Sequence, residues 1–205
     1  VEKGRGDGIF ITTSGIGLTR SDVQISTESI VAGDALILTG TLGDHALAVL
    51  KARNQFSLDF EIESDVAPVN GLVATLLDAV PETRFLRDPT RGGVAAVLGE
   101  TSRDKAWGFI LDEQALPITS QVRSLCEILG YDPLTLANEG KVVAVVPADA
   151  VEKSLKALQS HPLGRHAAKI GYVDTVRPGI VLLKTLIGGT RVVQVPLGED
   201  LPRIC

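Results

Sequence analysis

Along this chain apolar residues gather in two patterns: short solid blocks, and longer stretches in which they recur at every third or fourth position. Solid blocks bounded by Gly, Pro or Asp predict buried strands, and they occur at 9–13, 34–40, 107–111, 141–146, 169–173, 180–183 and 190–195. The spacing of Val69, Leu72, Val73, Leu76, Leu77 and Val80 puts these side chains on one face of a helix over 66–80. Helical composition also marks 45–53 with Asp44 as its expected N-cap, the run that begins at Val94, 120–129 with Gly130 as its stop, and 148–160. Gly188-Gly189 between the last two blocks predicts a hairpin.

Strands and helices therefore mix throughout. The uneven alternation and the final hairpin argue against a doubly wound parallel sheet and for an α+β fold, a mixed β-sheet with helices packed on it, followed by a mobile tail after Pro196. Three parts are expected: a strand and polar linker over 1–30, an α/β domain over 31–178, and a hairpin with a cysteine-bearing tail over 179–205. The lack of Met and the apolar block just after Val1 suggest a piece of a longer or processed protein.

Composition narrows the function classes. With 205 residues, 44% of them hydrophobic and 22% charged, the chain can build one substantial core, and no apolar run approaches the roughly 20 residues that span a bilayer. A net charge of −5 without a basic stripe argues against nucleic acid as a partner. Cys126 and Cys205 are the sole cysteines, which fits a reducing cytoplasm better than a disulfide framework. The 21 glycines imply many tight turns and close backbone approaches.

Three turns and one terminus carry candidate chemistry. Asp88-Pro89-Thr90-Arg91-Gly92-Gly93 sets a carboxylate, a hydroxyl, a guanidinium and two glycines before a helix, the parts of a phosphate and magnesium site and equally of an ordinary capped turn. Gly40-Thr41-Leu42-Gly43-Asp44-His45 repeats the strand-turn-helix form, with His45 either an acid-base group or a partly exposed helix residue. Ala137-Asn138-Glu139-Gly140-Lys141 offers Glu139 as a general base if its surroundings tune it, or as a solvated turn residue. The three histidines and two cysteines show no zinc spacing. Cys126, among apolar helix positions, reads as a small core residue, whereas Cys205 ends a proline-interrupted arm that can reach another site.

Pro202-Arg203-Ile204-Cys205, taken with 40–45, 88–93 and 137–141, closely resembles the HypE family of hydrogenase maturation proteins over essentially the whole chain. The glycine turns are shared with the wider superfamily of aminoimidazole ribonucleotide synthetase and selenophosphate synthetase. The resemblance implies a cytoplasmic enzyme, an ATP-dependent carbamoyl dehydratase. In that family the carbamoyltransferase HypF loads a carbamoyl group on the terminal thiol, here Cys205, and the S-carboxamide is dehydrated to a thiocyanate. Its cyanide passes to iron on the HypC–HypD scaffold. Glu139 matches the family's glutamate beside the thiocarboxamide. Asp88 falls where the superfamily holds magnesium, and Thr90, Arg91, Gly92, Gly93 and Asn138 fall where it holds the nucleotide. The family's N-terminal domain, with most of the nucleotide site, the homodimer barrel and a lysine assisting the base, is expected upstream of Val1. Residues 1–30 would be its remnant, and the piece alone is expected to be inactive or nearly so. The alternative is a carrier that presents Cys205 to partner proteins while the catalysis lies elsewhere.

Overall fold

The computed structural model describes residues 12, 14–53 and 60–196. Seven strands form one sheet: β1 (Ala35–Leu38), β2 (Phe85–Arg87), β3 (Gly108–Asp112), β4 (Val143–Val146), β5 (Ala168–Asp174), β6 (Val181–Lys184) and β7 (Thr190–Val192), in spatial order β2-β4-β1-β5-β3-β6-β7. Every neighbouring pair is antiparallel except β3 with β6. The expected mixed sheet is therefore present, and the β6–β7 hairpin continues it.

The solid apolar blocks are solid because β1 and β4 are covered on both faces. Leu36, Leu38, Val143 and Val145 face a core closed by α3 (Gly93–Ser102), whereas Ala35, Ile37, Ala144 and Val146 face α2 (Asn70–Ala79) and α5 (Val151–Ser160). A fully buried Leu contributes roughly 1.5–3 kcal/mol relative to an exposed one, so two apolar layers hold the central strands in place. A third cluster joins α1 (Asp44–Ala52) to α4 (Ser120–Leu129) through Leu47, Leu50, Val122, Leu125 and Leu136.

Several boundaries differ from expectation for local reasons. The helix expected from residue 66 begins at Asn70, after Pro68, whose ring pushes the residue before it out of helical backbone. Asp44 is not the N-cap of α1: Gly43 takes that place with φ of 84°, and Asp44, in the first turn, accepts a hydrogen bond from the Thr41 hydroxyl instead. The helix expected from 148 opens with a 3-10 turn over Ala148–Ala150. Residues 85–87, outside the apolar blocks, supply the edge strand β2, and just before it the Ser26 N–H of the linker donates to the Arg84 carbonyl at 2.8 Å. The strand expected over 9–13 and the tail with Cys205 lie outside the described residues, apart from Thr12, which is not in a strand.

Candidate functional site

Three connections that are far apart in sequence meet at one corner of the sheet: the β1–α1 turn, the β2–α3 turn, and the loop that enters β4. Asn138 joins them. Its side-chain oxygen accepts from the Gly43 N–H at 3.0 Å, and its amide nitrogen donates to the carbonyls of Pro89 at 3.2 Å and Leu136 at 2.9 Å. Its own N–H donates to Pro89 as well, at 3.1 Å. The residue is wholly buried, so this network satisfies polar groups that water cannot reach. Asn138, expected among the nucleotide contacts, is thus engaged as a pin between loops.

Glycines let the loops approach. A Cβ on Gly93 would sit 2.5 Å from the Leu134 carbonyl oxygen and 2.6 Å from that of Leu136, and one on Gly40 would sit 2.6 Å from Lys141 Cε. Thr39 closes the seam, its hydroxyl accepting from the Val142 N–H at 2.9 Å. Asp88 and Arg91 are exposed, Thr90, Gly92 and Glu139 are half-buried, and Gly93 is buried at the start of α3. The structure therefore brings 40–44, 88–93 and 137–141 together. His45 is buried behind them with its Nδ1 2.8 Å from the Ser64 hydroxyl.

Asp65 was invisible as a site residue in the sequence, because its partners are remote in sequence. Its Oδ1 accepts from the Glu139 N–H at 3.0 Å, and its Oδ2 lies 3.1 Å from the Lys141 ammonium. That ammonium is close but not aligned as a hydrogen-bond donor, which leaves Oδ2 ion-paired without an aligned donor. Nearby, burial raises the Asp44 carboxyl above its ordinary pKa, opposed by the Thr41 hydroxyl and the Lys141 charge. Cys126 is a core residue, its thiol pushed up to about 11 chiefly by burial, which fits an inert structural cysteine.

The chain leaves the described region at the same corner. Val195 lies over α3, where a Cβ on Gly99 would come 2.2 Å from its Cγ2, and the Pro196 ring lies 3.9 Å from a Cβ placed on Gly92.

No group of three or more His, Cys, Asp or Glu side chains able to hold a metal ion occurs among the described residues. Asp88 is a single exposed carboxylate in the 88–93 turn. Among the described residues no helix is long and apolar enough to cross a membrane.

Comparison with known proteins bears on the fold. The family model described as AIR synthase related protein, C-terminal domain, matches residues 31–183. Over all 205 residues the chain is 47% identical to the carbamoyl dehydratase HypE of Cupriavidus necator and covers 58% of that protein. Among solved structures, the HypE–HypF complex superposes with a TM-score of 0.79 at 44% identity, covering 84% of this chain and 56% of that one. The hydrogenase maturation protein HypE in complex with ATP superposes with a TM-score of 0.81 at 38% identity, covering 88% and 55%. The chain spans about three fifths of the length of the curated relatives it matches.

Proposed function

The chain belongs to the AIR synthase related family through that C-terminal domain, and from this premise we propose that it is the part of a hydrogenase maturation enzyme that carries the reacting thiol and the general base. The reaction is the ATP-dependent dehydration of an S-carboxamide on Cys205 to a thiocyanate, whose cyanide goes to the iron of a NiFe hydrogenase. The observation that carries this reading is the convergence at one corner of 88–93, 137–141 and the exit of the tail at Pro196.

Each residue has a chemical task. An amide oxygen is a poor leaving group, and ATP supplies the phosphoryl group that makes it a good one. Cys205 holds the carboxamide carbon through its sulfur, so the carbon stays on the protein throughout the dehydration. Glu139 takes one nitrogen proton as the amide oxygen attacks the γ-phosphoryl group and ADP leaves, releases it to solvent, and takes the second as the carbon–oxygen bond breaks and phosphate departs, which leaves the carbon–nitrogen triple bond. Arg91 and the backbone of Gly92 and Gly93 at the start of α3 hold phosphate oxygens, and Asp88 would hold the magnesium that offsets their charge. Asn138 acts through the loops it pins.

The relatives support the wider assignment: the HypE–HypF complex supports HypF as the partner that loads the thiol, and the ATP complex supports the nucleotide. Magnesium, the HypC–HypD scaffold as cyanide acceptor, and a homodimer built by the rest of the protein complete the proposal.

The deciding experiment uses the full-length protein with HypF, carbamoyl phosphate and ATP, reading the tail peptide by mass spectrometry. Cys205→Ala is expected to remove both the carbamoyl adduct and the later loss of water. Glu139→Ala is expected to keep the adduct and to stop the loss of water. If Glu139→Ala dehydrates at the parental rate, the domain is a carrier and the chemistry lies elsewhere.

A further inference from the structure

The Asp65 side chain is 3% exposed, and the Lys141 side chain that faces it is 11% exposed. A buried ion pair is a poor source of net stability, because removing both charges from water offsets much of their attraction. Its geometry points to another use. Asp65 touches three consecutive residues of the loop that bears the base: Oδ1 accepts from the Glu139 N–H at 3.0 Å, the backbone carbonyl packs so closely on Gly140 that a Cβ there would come within 1.8 Å, and Oδ2 stands 3.1 Å from Lys141 Nζ. On its far side the Lys141 stem is held against Gly40, where a Cβ would meet Cε at 2.6 Å and Cδ at 2.7 Å.

We propose that Asp65 is a positioning residue for Glu139, and that the Asp65–Lys141 pair, wedged against Gly40, fixes the backbone from which the base projects. This rests on the reading of Glu139 as the base. The link is geometric: the pair spans the two residues after Glu139, so a shift of Lys141 is passed to Glu139 through Gly140, whose backbone has no room to absorb it. Small displacements of a catalytic group, on the order of 1 Å, lower rates by up to about a hundredfold.

The test is single-turnover dehydration in the full-length protein already carbamoylated on Cys205, with loss of water followed by mass spectrometry across ATP concentrations. Asp65→Asn keeps an acceptor for the Glu139 N–H but removes the charge facing Lys141. Gly40→Ala keeps both charges and shifts the lysine, and since the obstructing atoms belong to a flexible side chain the variant should fold. Both are expected to lower the rate at saturating ATP by about tenfold or more, with half-saturation unchanged. A parental rate in Gly40→Ala overturns the proposal whatever Asp65→Asn does. A change confined to half-saturation overturns it too, since the pair would then serve nucleotide binding. Glu139→Gln separates the two levels. If it dehydrates normally, the base and the positioning role both fall; if it is dead while Gly40→Ala is parental, only the positioning role falls.

Discussion

At Gly93 the backbone turns with φ of 61° against the chain at 134–136, while at Gly188 it turns with φ of 83° and nothing within 4 Å of where a Cβ would stand. Both belong to adjacent glycine pairs, and both need the left-handed conformation that costs other residues roughly 1–2 kcal/mol. Their surroundings differ. The hairpin turn is closed by its own atoms: the Gly188 N–H donates to the Thr185 carbonyl at 3.0 Å and the Gly189 N–H to the Thr185 hydroxyl at the same distance. The corner turn is likewise closed by its own Gly93 N–H, which donates to the Thr90 carbonyl at 3.0 Å, but it also packs against residues some forty positions away, and its glycine is there for space as much as for φ. Local chemistry suffices for a hairpin, whereas a site assembled from distant loops needs glycines that fit one another's backbone.

The largest effect that would sharpen this contrast is Gly93→Ala. The added methyl would overlap two backbone carbonyl oxygens that cannot swing away as a side chain can, and it would also occupy a left-handed φ. The expected loss is about 4 kcal/mol or more, seen as a melting temperature lower by roughly 10 °C. A loss no greater than at Gly188 would break the comparison.

Asn138→Ala comes next. It strands the Gly43 N–H and removes a donor from the carbonyls of Pro89 and Leu136, all inside the corner. A cost of about 3 kcal/mol is expected, since buried polar groups left unpaired lose their full desolvation. Hydrogen exchange locates it: the Gly43 amide should lose protection while that of Gly188 keeps its own. Equal loss at both would mean that the pin supports the fold at large and not the corner.

How far the sequence reveals these regions follows from the same distinction. The hairpin was legible because Gly188-Gly189 sits between two apolar blocks, and α4 was legible because its helical composition and Gly130 are local signals; Gly130 indeed turns with φ of 73° after the last helical residue. The solid blocks at 34–40 and 141–146 gave away β1 and β4, since strands covered on both faces leave no polar alternation. Residues 84–87 hid β2 because an edge strand of three residues has too little pattern. At the corner, the candidate turns were visible one by one, and their meeting was not. Asn138 as a pin and Asp65 as the partner of Glu139 and Lys141 depend on contacts across 49, 74 and 95 positions, which no local spacing encodes.

The smallest effect tests the hairpin side. Gly188→Ala should cost about 1 kcal/mol, because only the left-handed backbone opposes it and no atom lies in the way of the methyl. Gly188→Asn should recover most of that loss, since Asn enters the left-handed region more readily than other non-glycine residues. The same exchange at Gly93 should recover almost nothing, because an asparagine brings the same Cβ into the carbonyls of Leu134 and Leu136. Thermal melting of the four variants therefore separates the two requirements that one residue type conceals. If Asn rescues at both positions, φ alone governs both turns and the close approach at the corner is not what holds it; rescue at Gly188 alone shows that the corner glycine is there for the neighbouring loop.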